Sequence, residues 1–304
     1  MKKIWLLIKT TVQSWNDDYA PSMGAALAFY TLFSIAPLLL IVLSIIGIVF
    51  GEEAARGEIV GQLQSLMGEE GATAVQALLQ NVNKPTEGVL ATIVGVVLLL
   101  VGATSVFGEL QNALDRIWRV PERAKTSGWW NLIHMRLLSF GMILGIGFIS
   151  MVSLLLSAGL SAVGKWWSPI LNNSENEWIF LLASLNALFS FLITTAMFAL
   201  IYKLMPRARI AWKDVLIGSV ITSILFTVGK SLIGLYIGTS AIASGYGAAG
   251  SLLVLLVWVY YSAQVFLMGA EFTWVYANIY GSRKNCSSSH LPHIESLQSA
   301  SPIR

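Results

Sequence analysis

The chain has 304 residues, of which 56% are hydrophobic and 12% are charged, and its formal net charge at pH 7 is +3. Soluble domains carry roughly 25% charged residues, so this composition excludes an ordinary soluble enzyme and favours a protein solvated by lipid. The chain has one cysteine, Cys286, which excludes a disulfide framework.

Residues 3–19 are predicted to form an amphipathic helix. Its apolar stripe at helical spacing consists of Ile4, Ile8, Val12 and Trp15. The lysines of this segment, Lys2, Lys3 and Lys9, favour a helix that lies in the membrane interface and meets anionic headgroups. A helix packed on the side of the bundle is the alternative, and the pattern does not separate the two.

Long stretches with little or no charge follow. A transmembrane helix needs about 20 apolar residues to cross the hydrocarbon layer. The stretches predict spans near 25–50, 88–108, 138–162, 179–202, 214–237 and 249–272. We therefore predict an all-α polytopic bundle of six transmembrane helices in a single domain, residues 1–280. The serine-rich residues 281–304 are predicted to be a disordered cytoplasmic tail.

The basic residues predict the orientation of the chain. Most of the 19 Lys and Arg residues lie before the first span, in 109–136, in 203–213 and after the last span. Basic segments stay on the cytoplasmic side, so both termini are predicted to be cytoplasmic. The acidic segment 52–87 then lies outside. Its residues 54–83 are predicted to form two short amphipathic helices that cap the outer face.

One lysine, Lys230, lies within the fifth predicted span, where an ionisable group is costly and is therefore a functional candidate. It would bind an anion or a headgroup, or act in a proton-coupled switch. The alternative is a structural lysine that bonds carbonyls and hydroxyls or extends outward to the headgroups. Glu271 lies near the inner end of the sixth span, too far from Lys230 along the membrane normal for a direct ion pair.

Several spans bring polar side chains to a similar depth in the inner half of the bundle. They are Tyr30, Ser34 and Pro37 in the first span, Glu109 and Asn112 at the end of the second, and Tyr260, Gln264 and Glu271 in the sixth. Glu109 and Asn112 share their helix face with Arg116, and Pro37 frees the carbonyl of Phe33. This convergence predicts a cavity open to the cytoplasm. Hydrogen bonds that hold the helices together are the alternative.

The connection between the fifth and sixth spans is rich in small residues, and Gly238, Gly245, Gly247 and Gly250 are candidate hinges. The letters GYGAAG at 245–250 match the pattern GxGxxG, but a dinucleotide site needs a preceding strand in a βαβ unit. The histidines lie in an inner loop and in the tail. No catalytic residue, metal site or cofactor is predicted, and no nucleic acid partner is expected.

Four blocks of the sequence resemble one family. They are AALAFYTLFSIAPLLL (25–40), GATSVFGELQNALDRIW (102–118), YKLMPR (202–207), and GKSLIGLYIG with YGAAGSLLVLLVWVYYSAQVFLMGAEFTWVYA within 229–277. They resemble the YihY/BrkB family of bacterial inner-membrane proteins, over about residues 20–280. The resemblance implies six spans in a bacterial inner membrane. Members are linked by name to virulence or serum resistance, and a role in exporting lipid or envelope material has been proposed. Some members also bear a tRNA-processing ribonuclease label, for which these residues offer no metal site.

Two hypotheses for the function follow. The first is a transporter or exporter of an amphipathic or anionic substrate, such as a lipid, through an inward-facing polar cavity. In it, Lys230 attracts the anionic group, and Glu109 and Glu271 guard the inner mouth or take up protons. The second is a scaffold for envelope integrity that transports nothing and binds partners. A membrane enzyme is disfavoured. Membrane lipids are expected partners, and homo-oligomer formation is left open.

Overall fold

The computed structural model describes residues 2–50, 105–121, 175–239 and 250–284, together with the single positions 61, 64, 72, 73, 75 and 76. The four main ranges form the helices α1 (Lys2–Asp17), α2 (Ala20–Phe50), α3 (105–117), α4 (Glu175–Leu204), α5 (Trp212–Thr239) and α6 (Gly250–Ile279). No strand occurs in these ranges. The prediction of an all-α chain is therefore confirmed for the part of the chain that the structure describes.

Three of these helices contain stretches that are long and apolar enough to cross a membrane. They are Ser184–Leu204 in α4, Trp212–Ile237 in α5 and Leu252–Ile279 in α6. The three stretches match the fourth, fifth and sixth predicted spans, so these parts of the prediction are confirmed.

The first predicted span corresponds to α2, which has 31 residues. A helix of this length is about 46 Å long at 1.5 Å per residue, and its first part, Ala20–Ile35, is a shorter apolar helix. The predicted spans 88–108 and 138–162 lie outside the described residues, apart from the start of α3. Of the predicted outer helices in 54–83, the six described positions are helical.

The C-terminal end of α6 extends beyond the apolar stretch predicted at 249–272. The helix continues to Ile279 and ends where the N–H of Gly281 donates to the carbonyl of Tyr276 at 2.9 Å. The hydroxyl of Ser282 then donates to Asp214 at the start of α5, at 2.6 Å. Residues 281–284 are thus held against α5, whereas the sequence placed the start of a disordered tail at 281. Residues 285–304 lie outside the described ranges.

Helix α6 packs on α1, α2 and α5. Tyr202 of α4 is fully buried, and its hydroxyl donates to the carbonyl of Phe266 at 2.7 Å. A Cβ atom built on Gly269 would lie 2.0 Å from Oγ1 of Thr222 and 2.6 Å from the Tyr202 hydroxyl. The absence of a side chain at Gly269 therefore allows three helices to meet closely.

Helix α1 has two different faces. Thr10, Thr11 and Ser14 are buried on the side of the bundle, where α1 packs on α6. Leu7 and Trp15 also pack on the core. The exposed side of α1 contains an apolar stripe of Ile4, Trp5, Ile8 and Val12. Three of the four residues of the predicted apolar stripe are therefore not covered by the described part of the protein.

Candidate functional site

The predicted pair on α2 does not line a shared polar surface. Tyr30 is 36% exposed. Ser34 is buried, but its hydroxyl donates to the carbonyl of Tyr30 in its own helix at 3.0 Å. Serine in a membrane helix commonly satisfies its hydroxyl in this way. The side chain of Pro37 lies outside the described residues. Tyr260 of α6, which was predicted to share the cavity, is 37% exposed.

Helix α3 buries polar side chains other than those singled out from the sequence. Asn112 and Arg116 are exposed and Glu109 is half-buried. The buried polar side chains are Gln111 and Asp115, about 110° further around the helix. Core residues complete the buried side of the helix, namely Ala113, Leu114, Ile117 and Trp118. Because these large apolar side chains are buried, the helix turns Asn112 and Arg116 outward.

The predicted residues of α6 do face other helices. The side-chain amide of Gln264 donates to the carbonyl of Pro21 at 3.4 Å, and its Nε2 atom would lie 2.0 Å from a Cβ atom on Gly24 of α2. Glu271 is 0% exposed. No described residue donates a hydrogen bond to either of its carboxyl oxygens. Glu271 is therefore the predicted site residue whose burial is most costly.

Lys230 of α5 is half-buried and lies at a different level of the bundle from Glu271. Its neighbour Gly229 packs on Tyr261 of α6. Glu271 is ten residues further along α6, which is about 15 Å at 1.5 Å per residue. This separation agrees with the prediction that the two residues form no direct ion pair.

The candidate hinges flank the connection between α5 and α6. Gly238 lies in the last turn of α5, and Gly250 is the first residue of α6. Gly245 and Gly247 lie outside the described residues.

Three charged residues meet at the end of the bundle that is predicted to be cytoplasmic, and we call them the inner cluster: Asp18, Arg119 and Glu271. Asp18 lies in the turn between α1 and α2, is 2% exposed, and accepts a hydrogen bond from Nη1 of Arg119 at 2.6 Å. The guanidinium of Arg119 lies over the ring of Trp274, 5.1 Å from its centroid. The carboxyl groups of Asp18 and Glu271 are adjacent to each other. The cluster therefore joins the α1–α2 turn, the end of α3, and α6.

Burial dominates the electrostatics of Asp18. It raises the pKa of the Asp18 carboxyl above its ordinary value of 3.8, because the charged form loses water. The adjacent Glu271 carboxyl group and the charges of Arg119 and Arg116 act in the opposite direction and only partly compensate. Among the described residues, none donates a hydrogen bond to the second oxygen of Asp18, Oδ2, or to the oxygens of the adjacent Glu271.

The backbone is strained at two positions of this site. Tyr19, next to Asp18, has φ of 58°, and Arg119 has φ of 53°. The left-handed region is uncommon for residues other than glycine and costs of order 1–3 kcal/mol. At Arg119 this conformation ends α3, where the N–H of Val120 donates to the carbonyl of Asp115 at 2.9 Å. The fold holds both residues in place despite this cost.

A second group of polar residues attaches the α4–α5 loop to α3. Asp115 is 1% exposed and accepts hydrogen bonds from the backbone N–H of Arg207 at 2.8 Å and from its guanidinium at 3.2 Å. The amide of Gln111 donates to the carbonyl of Met205 at 3.0 Å. These contacts satisfy a buried carboxylate and a buried amide, and they fix the loop against α3.

The sequence analysis did not identify Asp18, Asp115 or Asp214 as site residues. A sequence signal for these residues existed. Their segments carry most of the basic residues, and acidic residues among basic ones at a membrane boundary can form ion pairs with them. Asp18 pairs with Arg119, and Asp115 pairs with Arg207.

Comparison with known proteins identifies relatives over most of the chain. Residues 11–290 match the family described as virulence factor BrkB. The chain is 30% identical over 259 residues to a UPF0761 membrane protein of Pseudomonas aeruginosa (strain LESB58), a match that covers 83% of this chain and 58% of that protein. It is 28% identical over 265 residues to a UPF0761 membrane protein of Tolumonas auensis, with 85% and 81% covered.

A UPF0761 membrane protein of Alcanivorax borkumensis is 28% identical over 267 residues, with 86% of this chain and 58% of the relative covered. The chain thus spans less than two thirds of the length of the Pseudomonas and Alcanivorax relatives. No solved structure matches it. Because the family match extends over nearly the whole sequence and the relatives are named as membrane proteins, the chain belongs to the BrkB family of membrane proteins.

Proposed function

We propose that this protein is a multi-pass transporter of the bacterial inner membrane, with six spans and cytoplasmic termini, that moves an amphipathic anionic substrate such as a lipid. The observation that carries the proposal is Glu271. It is fully buried in an apolar helix, and neither of its oxygens has a donor. An ionisable group at membrane depth is expensive and usually marks a substrate or proton pathway.

Glu271 would act as the proton-carrying group of the inner cluster. An ionised carboxylate without donors is too costly to bury, so the geometry favours a protonated Glu271 whose hydroxyl donates to Oδ2 of Asp18. The other oxygen of Asp18, Oδ1, already accepts from Arg119. With one carboxylate, one guanidinium and one neutral acid, the cluster carries no net charge.

Loss of that proton would change the balance of forces in the inner cluster. Two carboxylates would then lie side by side with one guanidinium between three helices, and like charges at this distance repel strongly in a low dielectric. Repulsion would favour separation of α6 from the α1–α2 turn, or entry of water and a cation. Proton release would therefore be coupled to a change in helix position, which alternating access requires.

The proposed substrate class follows from the side chains at the same end of the bundle. Four cations lie over aromatic rings: Arg116 over Tyr19, Arg119 over Trp274, Lys203 over Trp212 and Arg283 over Trp118. Cations bind anionic headgroups, and the adjacent rings can contact apolar chains. Lys230, deeper in the bundle, would attract the anionic group as it crosses. No residue is assigned a catalytic role.

The test uses the purified full chain in vesicles of phosphatidylethanolamine and phosphatidylglycerol. Phosphatidylglycerol with a fluorescent label serves as the probe, and dithionite destroys the label in the outer leaflet only. Vesicles are prepared with and without a pH difference across the membrane. We expect movement of the probe between leaflets to depend on that difference, and to slow by about tenfold or more in Lys230→Gln, the equivalent of at least about 1.4 kcal/mol.

The variant Glu271→Gln should abolish the pH dependence while leaving the fold intact, because glutamine can donate to Asp18 without titrating. Lys213→Gln, an exposed lysine in the first turn of α5, is the matched control for Lys230→Gln. Movement of zwitterionic phosphatidylcholine at the same rate would argue against an anionic substrate. If the wild-type protein moves neither lipid at any pH difference, the transport proposal fails and the scaffold is favoured.

A further inference from the structure

The exposed face of α1 is a surface that the proposed transport pathway does not use. Ile4 is 65% exposed, Trp5 68%, Ile8 49% and Val12 48%. On a helix of 100° per residue these four side chains fall within an arc of about 100° and form one continuous stripe. No described part of the protein covers this stripe, although it is the most apolar surface of the helix.

The other two sides of α1 differ from each other, since one faces the bundle and the other is polar. Thr10, Thr11 and Ser14 face the bundle, centred about 125° from the stripe. Gln13 and Lys9 lie on the third side, and Lys9 is exposed. A helix with one side on protein, one apolar side and one polar side fits a position in the plane of a membrane surface, beside the bundle that it packs against.

Charge identifies the occupant of the stripe. The exposed Lys9 borders it, about 40° from Trp5 around the helix. A cation at the border of the stripe matches the headgroups of an anionic leaflet, which attract basic residues near the surface. A second copy of the same stripe would instead bring equal positive charges together.

The position of α1 in the chain agrees with this assignment. Only Asp18 and Tyr19 separate it from α2, the first apolar helix. Asp18 in turn binds Arg119, whose guanidinium lies on Trp274. Tryptophan and arginine are typical of the membrane–water boundary. The contacts therefore place the end of α1 at the level of that boundary.

We propose that α1 is a lipid-binding helix that inserts Ile4, Trp5, Ile8 and Val12 into an anionic membrane surface, with Lys9 bound to a lipid phosphate. This inference does not depend on transport, and a scaffold would have the same surface helix.

The test measures the depth of single labels on the full chain in vesicles. In a Cys286→Ser background, an environment-sensitive fluorophore is attached to Ile8→Cys on the stripe or, as the matched control, to Gln13→Cys on the polar side. Quenching by nitroxide-labelled lipid reports contact with acyl chains, and quenching by iodide reports contact with water. We expect the label at position 8 to be quenched by lipid and protected from iodide, and the label at position 13 to show the reverse.

Lipid composition tests the role of Lys9. In vesicles with phosphatidylglycerol, Lys9→Gln should lower the ratio of inserted to detached α1 by about fivefold, as expected for one cation near an anionic surface. In pure phosphatidylcholine the same substitution should have little effect. Equal quenching at positions 8 and 13, or insertion independent of Lys9 and of phosphatidylglycerol, would overturn the proposal. Efficient disulfide cross-linking between two Ile8→Cys chains at low protein density would also overturn it, in favour of a second copy.

Discussion

Arg119 donates to Asp18 across 101 residues of sequence, and a left-handed backbone residue lies at each end of this contact. Arg119 itself adopts the unusual conformation on one side, and Tyr19 adopts it next to Asp18 on the other. Two sharp helix ends are thus held together by one short ion pair. The carboxyl group of Glu271 lies beside that pair, so the pair also sets the environment of a buried acid.

Loss of Arg119 should destabilise the protein, because the buried carboxylate of Asp18 then loses its cationic partner. Removing one partner of a fully buried ion pair costs about 3–5 kcal/mol. Because the Arg119 side chain is 46% exposed, we expect Arg119→Met to cost about 2 kcal/mol. Thermal unfolding in detergent, followed by tryptophan fluorescence, measures this cost.

The double variant Asp18→Asn/Arg119→Met should recover part of that loss, since the uncompensated carboxylate is then absent. Arg209→Met, at an exposed arginine of the α4–α5 loop, is the control and should have little effect. Simple additivity of the Asp18 and Arg119 variants would show that the two residues do not interact energetically.

The raised pKa of Asp18 predicts an unusual dependence of stability on pH. The folded protein binds a proton at this carboxyl more tightly than the unfolded chain, in which the pKa is near 3.8. The contribution of Asp18 to stability is therefore greatest at low pH. It falls as the pH rises above about 4, until the carboxyl ionises in the folded protein as well.

Asp18→Asn should remove this part of the pH dependence, and Asp17→Asn, at the exposed neighbour, should leave it in place. Unfolding temperatures measured from pH 4 upward in one detergent provide the test. If Asp18→Asn and the wild type show parallel curves, burial does not control the protonation of Asp18.

Two glycines in membrane helices should respond oppositely to the same substitution. At Gly269 a new methyl group would overlap Thr222 and the hydroxyl of Tyr202, whereas no atom of the described residues lies within 4 Å of the corresponding point at Gly234. We expect Gly269→Ala to cost about 1–3 kcal/mol by overpacking. Gly234→Ala should be neutral or stabilise by up to about 1 kcal/mol, because alanine favours a helix. Equal unfolding temperatures for the two variants would contradict the close contact of α4, α5 and α6.

The α4–α5 loop should become accessible when its carboxylate is removed. Asp115→Ala leaves the guanidinium and backbone N–H of Arg207 without their acceptor, and we expect a loss of about 3 kcal/mol. Asp115→Asn keeps one acceptor oxygen and should cost about 1–2 kcal/mol. Limited trypsin digestion after Arg207 or Arg209 should be faster in Asp115→Ala. Asn112→Ala, on the exposed face of α3, should match the wild type in both measurements.

The membrane helices were the most predictable part of the fold. Stretches without charge locate α4, α5 and α6, because lipid excludes charges over the length of a span. The face of α6 that carries Gln264 and Glu271 was also predictable from helical spacing. The buried face of α3 was not, since its sequence offers polar residues at helical spacing on both sides. Packing of Leu114, Ile117 and Trp118 selects between them.

The role of Asp18 could not be predicted from its position in the sequence. A charge directly before an apolar stretch is typical of a span boundary in water. Asp18 becomes buried because α1 packs on α6. The turn after Asp18 places Tyr19 in the left-handed region, where glycine is the usual residue. The inner cluster therefore depends on tertiary contacts that local pattern does not encode.

The attachment of the α4–α5 loop has a consequence for how the bundle can open. Gln111 and Asp115 tie α3 to the junction of α4 and α5, and Asp214 ties α5 to the end of α6. In the described part of the chain, these contacts thus connect α3, α4, α5 and α6 to one another at one end of the bundle. The boundary between these helices and the α1–α2 turn contains the carboxyl groups of Asp18 and Glu271 beside Arg119. In the proposed mechanism, separation at this boundary would depend on a proton.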